Sequence, residues 1–172
     1  MTTVAFDGRY MVSEGRSTTG DGFICGREEQ KVFPLTINLG GKEVEAVVGI
    51  SGNAITIQSF IRFLESGGDM LDRESGFSLF GDHPDPEHAS IGVIMVTRDG
   101  EVSLISESLV PFPAEFPLSA GSGTPFATTA MSCGMNAVQA VYKAIEFDVY
   151  SGGKLRAFDT QAWAWADVGD LR

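Results

Sequence analysis

A chain that breaks covalent bonds needs a nucleophile, a base and a group to receive developing charge, so those residue types come first. Histidine is scarce: His83 and His88 are the only two, both in the acidic, proline-containing stretch GDHPDPEH. Their spacing fits no strong metal motif. A Ser-His-Asp or Cys-His enzyme would need one of them to reach a nucleophile and be oriented by a third group. The two cysteines, Cys25 and Cys133, exclude a disulfide framework and a Cys-rich zinc module. Gly121-Ser122-Gly123 is too short for a phosphate loop and lacks the Lys-Ser/Thr that ends one. What remains is the start of the chain. Methionine is normally removed in the cytoplasm when a small residue follows it, and here Thr2 follows Met1. Removal leaves a threonine carrying both a hydroxyl and a free α-amine. That amine has a reference pKa of about 7.7–8.0, so near neutral pH it can take the hydroxyl proton directly or through water. The alternative is that Met-Thr-Thr simply starts an edge strand.

The elements that must position such a residue are legible in the pattern. Residues 2–6 and 10–13 are short β-rich runs around Asp7-Gly8, a strong hairpin signal. Residues 20–26 and 31–38 are further strand candidates, and Thr36–Leu39 and Val44–Ile50 are joined by Gly40-Gly41. The period then changes. Ile57, Phe60, Ile61 and Leu64 form one face of a helix over 54–65, ended by Gly67-Gly68. Residues 69–90 read as a loop. Ile91–Thr97 and Glu101–Ser106 flank Arg98-Asp99-Gly100 as another hairpin, and 111–118, with three prolines, reads as irregular. Residues 125–147 read as two helices split at Gly134, with Asn136 as a cap, stopped by Gly152-Gly153. Leu155–Trp163 reads as a closing strand. Strands grouped in hairpins imply antiparallel sheets, and two sheets with helices outside them is the economical packing.

Composition bounds the function. With 12 basic and 23 acidic residues the net charge is −11, which argues against nucleic-acid binding and against a polybasic membrane surface. No apolar run approaches 18 residues and no secretory signal is visible, so a cytoplasmic protein with reduced thiols is expected. A length of 172 residues fits one domain over 1–172 that can bury a sizeable core.

Read together, five segments carry a resemblance. TTVAF at the start, SEGRSTTG at 13–20 with KVF at 31–33, VVGISGNA at 47–54, SAGSGTPFA at 119–127 and FDVYSGGKL at 147–155 run in order along the chain. They resemble the proteasome β-subunit and HslV peptidase family of N-terminal-nucleophile hydrolases, the last segment most specifically. The resemblance implies an α+β fold, a four-layer αββα sandwich of two antiparallel sheets. It implies hydrolysis of peptide bonds through an acyl-enzyme on Thr2. Lys31 would stabilise the alkoxide, Glu14 would hold Lys31, and Ser122, Asp148 and Ser151 would form a hydrogen-bond network around the amine. The Gly52 N–H would serve the oxyanion, and Thr18 and Gly52 would pair an extended substrate. Ile50 would sit near the specificity pocket, with Ala54 on the same turn at the substrate cleft.

No cofactor is required on this reading. A structural cation (Na, Mg or Ca) is expected at the backbone carbonyls of Ile145, Asp148 and Ser151. The partners implied are copies of the chain in a hexameric or heptameric ring, single or double, a peptide or unfolded protein as substrate, and an ATPase unfoldase. Ring contacts are expected at Met131, Met135, Tyr142, Phe112 and Phe116. The alternative is a catalytically inactive ring or shell protein that retains Met1; an amidase acting on small molecules would use the same nucleophile. Two departures from the family pattern stand out. The usual aspartate is Glu14, in a first hairpin about four residues shorter, and dropping two residues from each strand keeps every side chain on its face. The stretch 67–90 is too short for the family's long second helix.

Overall fold

The computed structural model describes residues 2–72, 90–106 and 108–171. In chain order the strands are β1 (Thr3–Phe6), β2 (Tyr10–Ser13), β3 (Ser17–Thr18), β4 (Ile24–Gly26), β5 (Val32–Leu39), β6 (Lys42–Gly52), β7 (Ile91–Thr97), β8 (Val102–Ile105), β9 (Phe112–Pro113), β10 (Leu118–Gly121), β11 (Arg156–Asp159) and β12 (Ala164–Ala166). The helices are α1 (Ala54–Glu65), α2 (Thr124–Ser132) and α3 (Ala137–Phe147). The strands form two five-stranded antiparallel sheets, β10-β1-β2-β11-β12 and β5-β6-β7-β8-β9, with β3 and β4 as a separate pair.

The layers follow from the period-2 alternation of the strands. In β6, Val47 faces the other sheet and packs with Val4, Phe6, Met11, Ile94 and Phe158. Its neighbours Ala46, Val48 and Ile50 face the opposite way, onto Phe60 and Leu64 of α1. On the far side Ala5 and Val12 meet Ala127, Ala137, Ala140, Val141 and Ala144 of α2 and α3. Small alanines on the helices let them lie close against the first sheet. The result is a helix–sheet–sheet–helix sandwich, the α+β architecture expected from the sequence.

Local chemistry fixes the ends. The first hairpin forms as predicted, with Val4 opposite Ser13 and Phe6 opposite Met11. Asp7 closes its turn by accepting from the N–H groups of Arg9 and Tyr10. Its other oxygen accepts from the Ala137 N–H at 2.8 Å, so the turn also caps α3. Asn136 and Gln139 complete a reciprocal capping box there. The Gly40-Gly41 hairpin joins β5 to β6, and Asp69 accepts from both glycine N–H groups. Helix α1 occupies the predicted residues, with the Asn53 side chain accepting from the Ile55 N–H.

Three expectations are corrected. Gly152-Gly153 does not stop α3, which ends at Phe147 because the backbone turns extended at its cap, Asp148 (φ −94°, ψ 111°). The closing strand over 155–163 is a hairpin instead: Trp163 has φ 53°, which turns the chain between β11 and β12. The proline-rich stretch 111–118 contributes two edge strands, β9 and the start of β10. Most of the predicted 69–90 loop, with His83 and His88, lies outside the described residues.

Candidate active site

Strand β1 begins at Thr3, so Thr2 stands at the mouth of the first sheet, 3% exposed. The end of β10 lies directly against it. Gly121 has φ 100°, and a β-carbon there would fall 1.9 Å from the Thr2 carbonyl oxygen. A β-carbon on Gly123 would fall equally close, 1.9 Å, to Thr3 Oγ1. The two glycines of Gly121-Ser122-Gly123 therefore bring a backbone against Thr2 and Thr3, which leaves Ser122 between them at the site.

Two polar groups converge on this point. The first is built on Glu14, just past β2 and fully buried. Its Oε1 accepts from Lys31 Nζ at 2.5 Å and from the Thr3 N–H at 3.2 Å. Its Oε2 accepts from the N–H groups of Arg16 at 2.7 Å and Gly152 at 2.8 Å. Four donors thus fix a carboxylate that solvent does not reach. Lys31 Nζ also donates to the Arg16 carbonyl at 2.5 Å and is only 5% exposed as a residue. Burial pulls the Lys31 pKa below its ordinary 10.5, opposed by the charge and hydrogen bond of Glu14.

The second group is built on Asp148, the cap of α3. Its Oδ2 accepts from Ser122 Oγ and from Ser151 Oγ, each at 2.6 Å. Thr3 Oγ1 lies 2.6 Å from Ser151 Oγ. A hydroxyl has one proton, and Ser151 spends its proton on Asp148, so Thr3 is the donor to Ser151. Thr3 did not figure in the sequence reading, although the paired threonines of TTVAF offered the signal: it is fully buried with its hydroxyl turned to Ser151. Arg16 steadies the loop behind. Its guanidinium lies over Gly152, where a β-carbon would meet it at 2.3 Å, and donates to the Val149 carbonyl at 2.9 Å.

Thr2, Lys31 and Ser122 line one cleft of about 1120 Å³. Thr18 of β3 forms one wall, Ala54 and Ile57 of α1 the other, and Gly52 and Phe33 lie between. Gly52 carries φ 141° at the end of β6. The structure thus brings Thr2, Glu14, Lys31, Ser122, Asp148 and Ser151 to one place and sets Thr18, Gly52 and Ala54 around it. Ile50 lies just behind this set. It is fully buried beneath α1, in one apolar cluster with Phe33 and Ile57. Phe33, Ile57 and Ile61 supply the apolar lining of the cleft itself. Among the described residues no cluster of three or more His, Cys, Asp or Glu could hold a metal.

No family model matches the chain, and no curated protein matches it. Solved structures do. Eukaryotic HslV from Trypanosoma brucei superposes with a TM-score of 0.61 at 16% identity, over 92% of this chain and 98% of that one. The chain has the HslV-like fold. BPH from Thiobacillus denitrificans, solved in complex with epoxomicin, gives 0.68 at 17% identity over 92% of this chain and 97% of that one. The Anbu (Gly-1) mutant from Hyphomicrobium sp. strain MC1 gives 0.67 at 11% identity over 97% and 86%. At these identities the likeness concerns the HslV-like fold, and the chemistry rests on the side chains described above.

Proposed function

We propose that this chain is an N-terminal threonine peptidase that hydrolyses peptide bonds through an acyl-enzyme on Thr2. The observation that carries the reading is the pair of polar groups flanking Thr2: a buried Lys31–Glu14 ion pair, and two serines held 2.6 Å from one Asp148 oxygen.

Once the bond before Thr2 is cut, its α-amine takes the Oγ1 proton as that oxygen attacks the substrate carbonyl carbon. Lys31 supplies positive charge to the developing alkoxide, and the Gly52 N–H receives the oxyanion. The tetrahedral species collapses with cleavage of the C–N bond, and the ammonium returns its proton to the leaving amine. Water then attacks the ester, the α-amine takes the water proton, and release of the acid restores the Thr2 hydroxyl. Ser122, Asp148 and Ser151 orient the amine and hold its proton in place. A hard cation at the carbonyls of Ile145, Asp148 and Ser151 would steady the same loop.

The assembly belongs to the same proposal: a ring of copies, cytoplasmic, taking peptide or unfolded chain, with an unfoldase for folded substrates. The apolar contacts are redistributed from the expected set. Met131 is buried in the α2–α3 layer and Met135 and Tyr142 pack partly against it, whereas Phe112 and Phe116 are 52% and 56% exposed. Phe147 and Val149, at 64% and 76%, join them as candidates. Among the described residues no helix is long and apolar enough to cross a membrane.

Thr2→Ala tests the function. Peptide hydrolysis should vanish with the melting temperature unchanged. Retained hydrolysis in pure variant protein would refute the assignment.

A further inference from the structure

A second cavity of about 850 Å³ lies beside the cleft, between β5 and the β11–β12 hairpin. Gln30, Phe33 and Glu65 line both cavities, so the two spaces share a wall. We infer that the second cavity is a distal subsite that holds a large apolar side chain of the peptide bound in the cleft. The inference rests on the proposed peptidase reading for its ligand, and on the shared wall for its place.

The lining is built for an apolar group. Leu35, Leu155, Trp165 and Val168 surround it, and Trp165 is 48% exposed. The tryptophan ring packs edge-on against the buried Phe158, with centroids 5.4 Å apart and planes at 89°. The charges on the wall offer little net attraction for an ion. Arg156 donates to the Glu29 carbonyl, Lys154 sits 3.7 Å from Glu28, and Asp167 accepts from the Gly169 N–H. A half-exposed aromatic face braced by a second ring, over leucines, selects hydrophobic contact.

Strand β5 acts as a ruler. Lys31 precedes its first residue at the catalytic end, Phe33 stands at the shared wall, and Leu35 lies inside the second cavity. At about 3.3 Å per residue these steps are roughly 7 Å each, so the subsite meets a substrate side chain about two to four residues from the scissile bond. The route is one of side-chain docking. β5 is the edge of its sheet and carries Pro34 facing this cavity, which removes a backbone donor that an added strand would need.

The test uses fluorescein-labelled peptides and full-length protein carrying Thr2→Ala, which binds without turnover. Two second-site variants, Trp165→Ala and Val168→Asp, lie outside the proposed catalytic groups. A decapeptide with a phenylalanine or leucine three residues from the scissile bond should bind about tenfold more weakly to each double variant than to Thr2→Ala alone. A tripeptide confined to the cleft should bind all three alike. Equal decapeptide affinity across the three proteins, or no decapeptide binding, would overturn the subsite. The hydrolysis reading fails separately. Wild-type protein with a free Thr2 amine that cleaves nothing, while Trp165 still governs decapeptide binding, would remove the peptidase and leave the subsite standing.

Discussion

Replacing Glu14 by glutamine removes one charge from a group that solvent does not reach and keeps its shape. In the native site Glu14 compensates Lys31, which is itself 5% exposed. Without the carboxylate charge the ammonium is left buried and unpaired, and breaking such a pair costs about 3–5 kcal/mol. For a chain of this size that corresponds to a fall in melting temperature of roughly 6–20 °C. The pH dependence gives a second reading. Burial already holds the Lys31 pKa below 10.5, so between the folded value and 10.5 the unfolded chain binds the extra proton. Stability therefore rises with pH across that window. Glu14 is what raises the folded value; the variant's window opens at a lower pH, and its deficit relative to wild type shrinks as the solution becomes alkaline. Urea unfolding at pH 7 and near pH 10 measures both gaps. A variant within 1 kcal/mol of wild type at pH 7, or a deficit that does not shrink on alkalinisation, would refute the buried-pair reasoning.

Thr3→Val should lower kcat about tenfold with KM little changed, because Ser151 loses a donor worth about 1 kcal/mol or more; Thr3→Ser should restore the rate, and a valine variant as fast as wild type would release Thr3 from the site. Light scattering at micromolar concentration should find a ring-sized species at both low and high salt, since the association proposed for a chain of charge −11 rests on apolar surface; a clean monomer in both would end the ring.

The sequence carried the architecture wherever one signal dominated locally. The Asp7-Gly8 and Gly40-Gly41 turns, the 57–60–61–64 face of α1 and the Gly134 break between α2 and α3 each follow from backbone freedom or a single period. The site was legible as an ordered set of segments rather than as chemistry. Nothing in the residue types says that Glu14 gathers four donors, because three of them are backbone N–H groups: that of Arg16 is local, and those of Thr3 and Gly152 arrive only through strand pairing and tertiary packing. The motif named the neighbourhood of Ile50, and the strand's pleat decides that its side chain packs under α1, behind Phe33 and Ile57. Gly152-Gly153 looked like a helix stop because glycine pairs usually are; here one lies under Arg16 and the other against the Arg27 carbonyl, a close approach invisible before folding. Trp163 turned the last strand through a positive φ that no propensity assigns to tryptophan.

The central claim is that Thr2 carries a free amine and a reactive hydroxyl in the same residue. Intact mass after expression, followed by incubation with a peptide epoxyketone and mapping of the adduct, tests it most directly. The account predicts a chain lacking Met1 and a single adduct on Thr2 that is absent from Thr2→Ala. A chain whose Thr2 amine is free but which forms no adduct, or forms one elsewhere, would contradict it.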